Sequence, residues 1–92
     1  MATDNFSIQT QLVEVLFDYG ATYSFISARL VRKTQGTLTS RHSTLGIALP
    51  NGKMVNCQEL FVDCPILIHN NEFLADLYRF ELTEFDIILG MD

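Results

Sequence analysis

From Ser7 to Phe17 the chain reads SIQTQLVEVLF, and its residues alternate between two sides of an extended strand. Gln9, Gln11, Val13, Val15 and Phe17 fall on one side, and Ile8, Thr10, Leu12, Glu14 and Leu16 on the other. Toward its end the segment becomes continuously apolar, the pattern of a strand that runs from the surface into a core. Asp18-Tyr19-Gly20 then breaks it. The conformational freedom of Gly20 predicts a tight turn that leaves the Asp18 carboxylate at the end of a buried strand.

Farther on, Ser27 is placed to cap a short helix over ARLVRKTQ, with Ile26 and Val31 spaced for a hydrophobic staple and Gly36 as the stop. A helix of this length is too weak to stand alone and is expected to pack on a sheet. The polar stretch TLTSRHS, residues 37–43, reads as a loop. Two extended arms flank Pro50-Asn51-Gly52, where Asn-Gly is a hairpin signal. ELFVDCPILI and EFLADLYRFEL read as two further strands joined at His69-Asn70-Asn71, and FDIILG as a fully apolar buried strand. The sum is a mainly β chain with one short helix, arranged as a sandwich or barrel-like sheet.

Composition narrows the possibilities. Ninety-two residues, of which 48% are apolar and 18% charged, predict one folded domain over 1–92. A chain this short buries a modest fraction of its surface, which favours a core completed by a second subunit and hence a dimer. The net charge of -5 argues against nucleic acid as a partner, since that affinity rests on clustered cations. Arg29, Arg32 and Lys33 lie close together but fit a solvated helix face.

No apolar run approaches the roughly 20 residues that span a bilayer, and MATDNFSIQTQ lacks the features of a secretory signal. The expectation is a soluble, cytoplasmic domain with no membrane partner. Cys57 and Cys64 sit in an apolar, strand-like stretch and read as buried free thiols. His42 and His69 lack zinc-ligand spacing, so no metal site is expected.

Alone, Asp-x-Gly after a strand is an ordinary turn. Here VLFDYGATYSFIS near the start is followed near the end by FDIILGMD, and this pair resembles the paired motifs of retropepsins. The likeness is greatest to the proteases of plant gypsy-type LTR retrotransposons, whose first motif is an apolar run followed by Asp-Ser/Thr-Gly-Ala. DCPILI, the Ala-Asp-Leu of residues 75–77 and ILGMD are also similar to that family, so the resemblance covers most of the chain from Val13 onward.

The resemblance implies an acid-protease fold, a closed β-barrel or sandwich with one lobe per chain. Asp18 would be the catalytic aspartate, and Gly20 and Ala21 would continue the loop that presents it. Ile88, Leu89 and Gly90 would support that loop, and the hairpin at Pro50, Asn51, Gly52 and Lys53 would be the flap over a bound peptide. Two identical chains would each give one aspartate to a homodimeric endopeptidase that processes the element's capsid-polymerase polyprotein, without a cofactor. Family members continue past ILGMD with Trp-Leu and a helical segment, which implies a domain cut short at Asp92.

Tyr19 stands where the family has Ser or Thr, a hydroxyl that bonds across the dimer beneath the aspartates. A phenol ring there implies weaker association or lower activity. It also keeps a second reading open, that of a catalytically impaired dimerisation or peptide-binding module. A third is a generic small β domain with an accidental Asp-x-Gly. Asp86 lacks a following glycine, and its family counterpart looks structural. Asp63, Asp76 and Asp92 read as strand-end or surface acids, and Phe17, Phe25, Phe61, Phe73 and Phe80 as core.

Overall fold

The alternating segment from Ser7 to Phe17 belongs to two strands rather than one. In the computed structural model, which describes residues 2–8, 11–34, 38–48, 52–68 and 70–91, β1 (Ala2–Ile8) lies antiparallel to β2 (Gln11–Asp18). Ala2 faces Phe17 and Ile8 faces Gln11. Periodicity misses such a reversal when both arms alternate alike and no Gly, Pro, Asn or Asp marks the turn between them.

The remaining elements are β3 (Phe25–Ser27), α1 (Ala28–Lys33), β4 (Ser40–Ala48), β5 (Met54–Ile68), β6 (Asn71–Phe80) and β7 (Ile87–Gly90). They build a seven-stranded sheet in the order β1-β2-β7-β3-β6-β5-β4. β1 also meets β5 through one bridge, Ser7 to Leu67. The closed barrel expected from the resemblance therefore rests, in strand pairing, on that one bridge among the described residues.

Two other expectations change. The polar stretch 37–43 is not all loop, because β4 begins at Ser40. β4 is the edge of the sheet and leaves Ser40, Arg41 and His42 exposed, so its first residues carry no hydrophobic signature. The second arm of the predicted hairpin and ELFVDCPILI form one continuous strand, the 15-residue β5. Its register against β6 shifts between Phe61 and Cys64, around Asp63, whose φ is 50°. The Asp63 amide donates to Asp76 Oδ1 at 2.9 Å, which anchors this bulge to β6.

The helix starts as its sequence predicts. Ser27 is extended, with its hydroxyl accepting from the Leu30 amide at 3.0 Å, and Ile26 and Val31 join the same apolar cluster. The helix closes at Thr34, whose amide and hydroxyl both turn back to the Leu30 and Val31 carbonyls. The predicted stop at Gly36 lies outside the described residues. Ser27 is fully buried, so Ser27→Ala strands the Leu30 amide and is expected to cost about 1 to 2 kcal/mol. A lower urea midpoint with an unchanged slope is the measurement that checks this.

Val15, Ile26, Leu30, Phe61, Cys64, Ile66, Leu77 and Ile87 form the core, with Phe17 packed against it. Phe73, expected inside, is 53% exposed on β6. β7 is less buried than its apolar sequence suggests, since only Ile87 is sealed and Ile88, Leu89 and Gly90 are half-buried. Cys57 and Cys64 are free and buried, and burial pushes the Cys64 thiol up to about 11 and raises that of Cys57. Both are held as unreactive thiols at neutral pH.

Candidate active site

Asp18 is the last residue of β2, and its position follows from the strand beside it. β2 and β7 run parallel, pairing Val15 with Ile87, Leu16 with Ile88, Phe17 with Leu89 and Asp18 with Gly90. β7 pairs antiparallel with β3 on its other side. The chain leaving β2 therefore has to pass the end of β7 before it can return as β3.

That passage is tight at Gly90. A Cβ added there would lie 2.6 Å from the carbonyl oxygens of both Ala21 and Tyr23, so the loop rests directly on the glycine. Hydrogen bonds hold it down: the Gly90 amide donates to Ser24 Oγ at 3.0 Å, and the Met91 amide donates to the Asp18 carbonyl at 2.9 Å. The Ala21 amide also donates to the Asp18 carbonyl, at 3.2 Å. The carboxylate itself accepts from the Gly20 amide, at 3.0 Å on Oδ1. A donor aimed at an oxygen of the carboxylate fixes its orientation.

The structure thus brings together Asp18, Gly20, Ala21 and Gly90, with Ile88 and Leu89 in the strand beneath. Gly20 forms the expected turn without entering the left-handed region, and a Cβ there would meet Asp18 Oδ1 at an ordinary 3.6 Å. The steric need for glycine lies at Gly90 instead. Ser24 and Met91 were not singled out in the sequence, where neither carries a distinguishing pattern. Both are identified only by the loop closing over β7.

Tyr19 is 61% exposed, so its ring does not crowd the interior of the chain. Tyr23, on the same loop, and Met91, whose amide bonds the Asp18 carbonyl, are also exposed, giving the Asp18 loop an aromatic and apolar rim. From Tyr23 a run of rings continues along β3 and β6: Tyr23 meets Tyr78 edge-on at 5.6 Å, and Phe25 lies 6.3 Å from Tyr78 and 6.0 Å from Phe80.

The predicted flap is the β4–β5 hairpin, in which Ala48 faces Met54. Gly52 has a φ of 86°, which suits its glycine, and Lys53 is exposed. Pro50 and Asn51 lie outside the described residues. β4 packs against β5 alone among the described elements, so it is not docked on β2 or β7. A concavity of about 500 Å3 opens where β6 changes partners from β5 to β3. It is lined by Val55, Asn56, Gln58, Arg79, Phe80 and Glu81, with no contribution from the Asp18 loop.

A family model described as retroviral aspartyl protease matches residues 1–92. The chain belongs to the retroviral aspartyl protease family. Its fold is similar to the crystal structure of the retroviral protease-like domain of Ddi1 from Leishmania major, with a TM-score of 0.70. That likeness covers 100% of this chain and 69% of the other at 19% identity, and it establishes the fold. No curated protein matches the chain. As a retropepsin-like aspartic protease domain, the chain makes the Asp18 turn its candidate chemical centre. Among the described residues no helix is long and apolar enough to cross a membrane.

Proposed function

We propose that two copies of this chain form one aspartic endopeptidase centre, each contributing Asp18. The observation that carries this reading is the Asp18 turn itself. The carboxylate stands at the end of a core strand, oriented by the Gly20 amide, on a loop that rests on Gly90 and has an exposed rim. A second copy brought against that rim supplies the second carboxylate that the chemistry needs.

Two such carboxylates about 3 Å apart share one proton, because like charges at that distance do not both ionise readily. The ionised member takes a proton from water as the water oxygen attacks the scissile carbonyl carbon. The protonated member gives its proton to the carbonyl oxygen. Collapse of the resulting tetrahedral diol breaks the C–N bond, with a proton passing to the leaving amine. The β4–β5 hairpin closes over an extended peptide, which adds to it as a strand. The substrate is the capsid-polymerase polyprotein of a plant gypsy-type LTR retrotransposon, cut in the cytoplasm. The Ser7–Leu67 bridge supports a barrel closed along the β1–β5 seam.

Cleavage of an unfolded protein, followed over a range of chain concentrations, tests this reading. The rate per chain is expected to rise with concentration until dimers saturate. A rate per chain that stays constant where sedimentation shows monomers would overturn it.

Tyr19 favours a second reading, a peptide-binding module without turnover. Its exposure supports a cost of the ring at the proposed contact with a second copy, counted once per subunit. Tyr19→Ser is expected to tighten the dimer about tenfold, corresponding to roughly 1.4 kcal/mol. Sedimentation equilibrium of the two chains measures it, and equal dissociation constants would remove Tyr19 as a determinant of association.

A further inference from the structure

We infer that Asp86, held by Arg29, is a positioning residue for the Asp18 carboxylate, clamping the far end of the parallel β2–β7 pair. The inference rests on the endopeptidase reading above. Every polar group of Asp86 is engaged. Its Oδ2 accepts from the Glu14 amide at 2.9 Å, while its own amide donates to the Glu14 carbonyl at 2.9 Å. Its carbonyl accepts from the Ser27 amide at 2.8 Å, and its Oδ1 accepts from Arg29 Nη2 at 3.0 Å. One residue thus joins β2, the start of β7 and the junction of β3 with α1.

Such a pin adds to the fit at Gly90, because the apolar residues between the two do not specify their own alignment. Ile87, Ile88 and Leu89 face Val15, Leu16 and Phe17, and a slip by two residues would return apolar side chains to the same faces. A slip or tilt would move Asp18 away from Gly90 and disturb the bond from the Met91 amide to the Asp18 carbonyl. Asp86 prevents this by fixing Glu14 in register one residue before the ladder begins.

A carboxylate suits the task, since it accepts on both oxygens at once. An amide at the same place presents an acceptor to one partner and a donor to the other. Arg29 is half-exposed and the pair is partly screened, so its service is orientation of Asp86 more than bulk stability.

The test compares Asp86→Asn, Arg29→Gln and Arg29→Lys with the parent chain. It uses kcat and KM on an unfolded protein substrate, the urea midpoint, and amide exchange at Met91. Asp86→Asn is expected to lower kcat about tenfold or more, through misplacement of the carboxylate, with KM within about twofold. Met91 exchange is expected to quicken about tenfold, ahead of any change at the core residues Ile66 and Leu77. Arg29→Lys should recover most of what Arg29→Gln loses. Unchanged kcat and unchanged Met91 exchange would overturn the inference. So would losses that simply follow the urea midpoint, with exchange rising uniformly across the chain. A parent chain that cuts nothing counts against the endopeptidase reading, while Met91 exchange still decides the clamp.

Discussion

Asp18→Asn is expected to reduce peptide cleavage by about 1,000-fold or more, because in the proposed two-chain centre it removes the acid-base pair from both halves at once. Asparagine has nearly the size of aspartate and keeps an oxygen for the Gly20 amide, so the fold should persist. The urea midpoint is therefore expected to stay near that of the parent, separating loss of chemistry from loss of structure. Mixing the variant with the parent should also silence the parent, since a mixed dimer holds only one carboxylate. Initial rates on an unfolded substrate, with the chains alone and mixed, measure both effects. Residual cleavage close to the parental rate would remove Asp18 from the reaction.

Gly90→Ala should have the largest effect on stability. The new methyl would meet two backbone carbonyl oxygens, of Ala21 and Tyr23, each at 2.6 Å. Neither can swing aside like a side chain, so the whole loop must lift, at a cost of about 3 kcal/mol or more. For a small domain that is a large share of its total stability. Lifting the loop also breaks the bonds to Ser24 Oγ and to the Asp18 carbonyl, so activity should fall along with the urea midpoint. Gly20→Ala is the contrast, since its methyl meets only Asp18 Oδ1 at 3.6 Å and should leave stability nearly unchanged. Equal midpoints for the two variants would show that the loop does not rest on Gly90 in solution.

The sequence by itself determined the features whose causes are local. The cap at Ser27 needs only a hydroxyl placed before the helix, and the β4–β5 hairpin needs only turn residues between extended arms. The placement of Asp18 at the end of a core strand follows from an apolar run broken at Asp-x-Gly. The family was legible from two motifs, since the pair is far more specific than either one. Other features depended on which strands meet. The split of the first alternating segment into β1 and β2 is a reversal that no Gly, Pro, Asn or Asp marks, and the start of β4 at polar Ser40 follows from its position at the sheet edge. The insertion of β7 between β2 and β3 moved the steric demand for glycine from Gly20 to Gly90. It also made Asp86 the junction of three elements. Those contacts join residues near opposite ends of the chain, and only tertiary packing brings such residues together.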